Sequence, residues 1–195
     1  MRIIATFTAA TLLAATAAAE ETITVDAFAV LSARGAVIAS SDTATSFAGE
    51  MHGPYFVDAG HGPIPAGRIV CVGTIEADSA DGRQTGAARC RIEAEDGAVA
   101  YGGFTCAGWR LVGCAGPFTM ESGAGRLAGL RGEGPIVLRR TETMLTPAGD
   151  GALVEQALGI ASWKGLTVHA AAQPSRAAPT RRTATPVAPN MKGTP

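Results

Sequence analysis

Between residues 22 and 169, apolar side chains recur at every second position over short runs. That period predicts strands rather than helices. The clearest run is 88–95. There Arg89, Arg91, Glu93 and Glu95 fall on one face, and Ala88, Cys90, Ile92 and Ala94 on the other. The charged face belongs in water and the small apolar face in a core. Asp96-Gly97 follows as a turn signal. The same reading predicts strands over 23–30, 36–40, 55–58, 68–77, 99–106, 116–121, 135–143 and 153–168, the last broken near Gly165. Turns are expected at 32–35, 81–82, 96–97 and 148–151. Residues 152–160 also suit a short helix, through the spacing of Leu153, Val154, Ala157 and Leu158. Short strands separated by glycine-rich turns make the chain all-β, a sandwich or a barrel.

The two ends differ from this middle. Arg2, the uncharged apolar run 3–15 and the small residues Ala17-Ala18-Ala19 have the order of a secretory signal, predicted over 1–19. The apolar run is shorter than the roughly 20 residues a membrane helix needs. One arginine rather than a pair favours a Sec-type route, so the expected location is periplasmic or extracellular. Residues 171–195 are rich in Pro, Ala and Thr, with Arg176, Arg181, Arg182 and Lys192 and no acid. Too little bulky apolar surface is present to offset the entropy of ordering. A disordered tail is expected there, with a weak electrostatic contact to an anionic envelope surface as its sharper reading. The domain expected between the ends is 20–170, with no transmembrane segment.

Charge changes the picture by exclusion. The chain of 195 residues carries 16 Lys+Arg against 17 Asp+Glu, for a net charge of −1. A nucleic-acid binder would cluster bases on its domain, whereas residues 20–170 hold 11 bases against 17 acids. No nucleic-acid partner is expected. Ten aromatics (6 Phe, 2 Tyr and 2 Trp) are too scattered for the girdles of an outer-membrane barrel.

Four cysteines in an exported chain are most simply two disulfides. Cys71 and Cys90 are symmetric about a hairpin whose loop would be Ser79-Ala80-Asp81-Gly82. Facing residues in such a pair come close enough to bridge. Cys106 and Cys114 flank the segment 107–113 and could close it. The main rival joins Cys90 to Cys106. A zinc site would want paired C-x₂-C spacing, which is lacking.

Residues 123–134 read Gly-Ala-Gly-Arg-Leu-Ala-Gly-Leu-Arg-Gly-Glu-Gly. A phosphate loop would need G-K-[ST] and a following helix. Neither is present, so bulges and tight barrel corners are the expected use of these glycines. Together with Cys106-Ala-Gly and Cys114-Ala-Gly-Pro-Phe118, the segment resembles a signature of small secreted bacterial proteins similar to the allene oxide cyclase and dirigent β-barrel superfamily. The likeness covers about residues 68–140. Ser122-Gly123-Ala124-Gly125 stands where that pattern has Gly-Gly-Thr-Gly, and Ala94-Glu95-Asp96-Gly97-Ala98 lacks both outer acids of its D-x-D-G-D turn. The resemblance implies a closed antiparallel barrel of about eight strands, holding a reactive small molecule in an apolar cavity.

Candidate chemistry is sparse. No G-x-S-x-G or H-E-x-x-H motif occurs. His52-Gly53-Pro54 and His61-Gly62-Pro63 read as loop turns, with Glu50 or Asp58 as the further ligands a metal would need. His169 is expected to be exposed. Asp78, Asp81, Glu95 and Asp96 read as polar turns rather than a calcium loop. Neither a metal nor a cofactor is expected. Trp109 and Arg110, between Cys106 and Cys114, are the candidate ligand-binding residues, with packing over a barrel end as the plainer account. Trp163 is expected in the core. The reading that results is a non-enzymatic exported barrel that binds a small apolar ligand or serves structurally in the envelope. The alternative is a cyclase-like or isomerase-like enzyme, whose acid would be Glu121 or Glu155 facing the interior.

Overall fold

The computed structural model describes residues 21–110, 112–149 and 151–170. The expected signal 1–19 and the basic tail 171–195 lie outside them. The described chain is built of β1 (Glu21–Ala39), β2 (Ala44–Asp58), β3 (Pro63–Asp78), β4 (Arg83–Ala94), β5 (Val99–Trp109), β6 (Gly113–Ala124), β7 (Arg131–Gly149) and β8 (Ala152–Ala170). Each strand pairs antiparallel with its sequence neighbour, and β8 returns to β1, closing an eight-stranded barrel. Closure leaves an interior that side chains must fill or a ligand must occupy.

Strand β4 follows the period read from the sequence. Ala88, Cys90, Ile92 and Ala94 are buried, while Arg89 and Arg91 are exposed. The hairpin loop before it is 79–82, and Cys71 faces Cys90 across the β3–β4 ladder. Those two residues are joined by a disulfide, and Cys106 is joined to Cys114. All four are buried, so both bridges lie in the interior rather than on the surface. Residues 152–160 are strand, not helix.

Several strands are longer than their sequence signals. The expected turn at 32–35 lies inside β1, where Gly35 pairs with Gly49 of β2. Both glycines serve close approach instead of reversal. A Cβ on Gly49 would sit 2.3 Å from the Arg34 carbonyl oxygen, and the Phe47 ring lies over the pair. Phe47 thus fills the space two side chains would have taken, as aromatics do over sheet glycines. Gly49→Val should destabilise the fold by about 1–3 kcal/mol, because the colliding atoms are backbone and cannot move aside. Urea melts of the two proteins check it.

The first His-Gly-Pro is likewise strand, not loop. His52, Gly53 and Pro54 lie within β2. The β1–β2 ladder there steps from Ala29–Tyr55 to Ser32–His52, so the backbone of Pro54, with no N–H to give, sits in a gap in the pairing. The second one, His61-Gly62-Pro63, does turn the chain between β2 and β3.

The break expected at Gly165 is a bulge. The β1–β8 ladder shifts between Val25 and Ala27, and Gly165 opposite has φ +65°. Asp26 holds this bulge: it accepts the Gly165 N–H at 2.8 Å and the Lys164 ammonium at 2.7 Å. The Lys164 contact, then the Gly165 bond, keep the Asp26 carboxyl below its ordinary value. Beyond the bulge, Leu166 and Val168 resume the inward positions that Ala161 and Trp163 hold before it.

From Arg139 onward β7 pairs with β8 alone, since the β6–β7 ladder ends at Cys114–Leu138. Residues 141–149 are exposed on this projecting arm. Pro147 sits on its free edge, where proline blunts unwanted strand pairing.

Candidate functional site

The interior is packed across its middle and hollow toward both ends. Phe118 and Ile136 are each 1% exposed and share one core cluster with the buried wall residues Ala29, Ala100 and Ala161. Phe118 meets Trp163 edge to face, ring centroids 5.5 Å apart. The two cavities on either side share no lining residue.

The apolar cavity has a volume of about 140 Å³. It lies at the end that carries the connections 59–62, 95–98 and 125–130. Val25, Val57, Ile69, Ile92, Phe118, Met120, Leu166 and Val168 supply its wall. Its cover comes from the glycine-rich segment: a 3₁₀ turn at Gly125–Leu127 lets Leu127 and Leu130 fold back over the opening. Gly125 and Gly129 take positive φ in that loop, the corner-forming use expected of them. Arg126 of the same loop binds the Asp96 carboxylate on the β4–β5 turn. That contact, with the Ala98 N–H, holds Asp96 below its ordinary value. The ion pair ties two connections together above the cavity.

Two polar groups reach this apolar space. Tyr55 lines it and is half-buried; burial pushes its phenol above the ordinary value, Arg126 opposing and Asp96 and Glu95 adding to the shift. The phenol is therefore a neutral O–H at neutral pH. Trp163 also lines the cavity, and its indole Nε1 is buried with no hydrogen-bond partner. An indole N–H is a donor only. Leaving one unpaired costs about 1–3 kcal/mol. Trp163 is in the core as expected, and it also lines the cavity.

The polar cavity, about 70 Å³, lies at the opposite end. Glu155 of β8 is buried there and pairs with Arg140 of β7 at 2.9 Å. Gln84 of β4 lines the same space; it is 5% exposed, and its Oε1 has no partner. The surrounding wall is Leu31, Phe47, Met51, Ile75 and Leu138.

The other sequence candidates fall elsewhere. Glu121 stands on the outer wall and pairs with Arg89. Phe118 and Met120 point inward, and the two-residue period then sends Glu121 out. Trp109 is 51% exposed at the end of β5, with the Arg83 guanidinium 5.8 Å from its ring centre. The Arg110 N–H donates to the Gly82 carbonyl at 2.9 Å, tying two rim turns together. Neither residue lines either cavity, so the candidate ligand-binding loop is a rim structure. His52 stands on the outer wall 3.9 Å from Glu50. Asp58 accepts the N–H groups of Gly60 and Gly62 and lies six residues along the strand from His52, about 20 Å away. Asp78 and Asp81 belong to one hairpin and Glu95 and Asp96 to the next. Successive hairpins of an up-and-down barrel lie at opposite ends, so these acids form no single cluster. Among the described residues no group of three His, Cys, Asp or Glu could hold a metal ion. His169 is half-buried in β8, with Nδ1 3.0 Å from the Thr22 hydroxyl, not exposed.

Sequence reasoning missed Tyr55, Gln84, Leu127, Leu130 and Arg140. Leu127 and Leu130 had a signal: they are bulky residues in a stretch of glycines. Gln84 shares the inward parity of Ala88 and Cys90, but nothing local says that an inward glutamine borders a cavity rather than packing; Arg140 had no signal. No known family model matches the chain, and no curated protein matches it.

Proposed function

We propose that this chain is an exported, disulfide-stapled barrel of the periplasm or cell envelope that binds a small apolar molecule carrying one acceptor oxygen. The observation that carries the reading is the apolar cavity lined by Trp163, a residue whose buried indole N–H is unpaired. A dry apolar cavity of about 150 Å³ takes up benzene, and 140 Å³ is of that size. A carbonyl or ether oxygen on such a ligand would accept from Trp163 Nε1 or the Tyr55 hydroxyl. Two interior disulfides support an oxidising compartment. Among the described residues no helix is long and apolar enough to cross a membrane. The eight-stranded closure and the glycine-rich cover loop support kinship with the secreted allene oxide cyclase and dirigent-like barrels.

Benzaldehyde is a suitable probe. It should shift the Trp163 indole N–H resonance saturably, and bind more tightly than toluene, which lacks the acceptor. Leu130→Trp should fill the cavity and abolish both. Benzaldehyde that leaves the Trp163 signal unmoved would overturn the reading.

A second reading is favoured by one observation, the interior placement of Glu155 beside a cavity. Under it the barrel is a cyclase-like or isomerase-like enzyme and Glu155 its proton-handling group. The expected signature is turnover of a small apolar substrate that Glu155→Gln removes while benzaldehyde binding persists. A variant with full turnover would rule it out.

A further inference from the structure

The polar cavity has a use that the apolar one does not explain. We propose that it is a second binding site, for the neutral hydroxyl end of an aliphatic molecule.

Four features select that chemistry. First, the side-chain carbonyl of Gln84 is buried and unpaired. No donor of the described residues reaches it, and natural interiors leave few such groups unmet. Second, Arg140 lines the same cavity and spends one contact on Glu155 Oε1 at 2.9 Å. A guanidinium has five N–H donors, so the space offers donors as well as the Gln84 acceptor. A hydroxyl both donates and accepts, and so suits either group. Third, charge works against the ionic alternatives inside the cavity, where Glu155 and Arg140 pair, the further cation Arg139 being exposed at its edge. A carboxylate would face Glu155 and the Gln84 carbonyl, while an ammonium would face Arg140. The Glu155–Arg140 pair is neutral as a unit, and a neutral ligand disturbs it least. Fourth, the size is right for a narrow chain. About 70 Å³ is half the volume that admits a benzene ring, yet more than the roughly 30 Å³ share of one water. Leu31, Phe47 and Met51 offer apolar contact to the methylenes. Exposed Leu158 and Ile160 also line the cavity, so it communicates with solvent and a longer chain could extend outward.

The site is distinct from the proposed apolar one: the two share no lining residue, and the unpaired atoms are of opposite kind, an acceptor here and a donor there. Either proposal can fail without the other.

The test uses the oxidised full chain, labelled with ¹⁵N, titrated with 1-butanol and with three matched probes: methyl propyl ether, butyrate and butylammonium. 1-Butanol should shift the Gln84 side-chain amide saturably while leaving the Trp163 indole unmoved. It should bind about tenfold more tightly than the ether, the factor expected for a hydrogen bond the ether cannot donate. Gln84→Leu should erase that preference while keeping the native Trp163 signal. If Leu disturbs the fold, Gln84→Met serves instead, because it keeps the length and removes the acceptor. An ether that equals the alcohol overturns the proposal. So does butyrate or butylammonium binding as well as 1-butanol, shifts at Trp163 instead of Gln84, or a cavity that keeps only water and shows no saturable shift.

Discussion

Phe118→Ala is expected to cost about 4 kcal/mol of stability, the largest loss of any single change considered for this barrel. Phe118 is 1% exposed and lies where the interior is solid, edge to face with Trp163. Removing the ring subtracts its transfer free energy and leaves a hole that closed strands cannot collapse into, because their register is fixed by hydrogen bonds on both sides. The aromatic pair adds about 0.5–1.5 kcal/mol to what area alone would give. For a domain of this size each kcal/mol moves the Tm by about 2–4 °C, so the variant should melt roughly 10 °C lower. Phe118 also walls the apolar cavity. The enlarged space should then accept ligands bulkier than benzaldehyde. Thermal melts followed by circular dichroism give the first number, and the Trp163 indole resonance reports the second. A loss under about 1 kcal/mol would mean that the ring does not fill the centre of the barrel.

The Cys71→Ala, Cys90→Ala double variant should lose about 3 kcal/mol, and the Cys106→Ala, Cys114→Ala double variant slightly less. The order follows from chain entropy. The first bridge closes a loop with a sequence separation of 19 and the second one of 8. A longer loop has more freedom to lose in the unfolded chain, and the dependence is logarithmic, so the difference is small. Both bridges are buried, and replacing sulfur by Ala also thins the packing around Ile69, Ile92 and Phe104. Denaturant melts of oxidised wild type and the two double variants measure the pair of values. Equal stability with and without the first bridge would show that it constrains nothing.

Much of this architecture was legible along the chain. The charged and apolar faces of 88–95, the hairpin centred on 79–82 and the pairing of Cys71 with Cys90 all follow from local period and symmetry. The glycine-rich segment was recognisable as a corner, although not as the cover of a cavity. Other signals pointed astray for a physical reason. Glycine and proline are turn residues, yet Gly35, Gly49 and Gly53 serve close approach between strands, a need set by the neighbouring strand and invisible in their own. Glu121 and Glu155 looked equivalent as interior acids. The inward positions of Phe118 and Met120 exclude the first. The second is admitted by its place on the same face of β8 as Ala157, Gly159, Ala161 and Trp163, in register with β1 and β7.

By itself, then, the sequence determined that this chain forms strands and where most of them reverse, and it favoured the cysteine pairing that the fold adopts, because a period of two and a hairpin loop are properties of neighbouring residues. The tertiary structure alone decided what the interior contains. Gln84 and Glu155 are 71 positions apart, on β4 and β8. They line one cavity only because eight strands close on themselves. Bulges such as the one at Gly165 reset which face turns inward. Register and closure are set by hydrogen bonds between distant segments, and no local pattern encodes them.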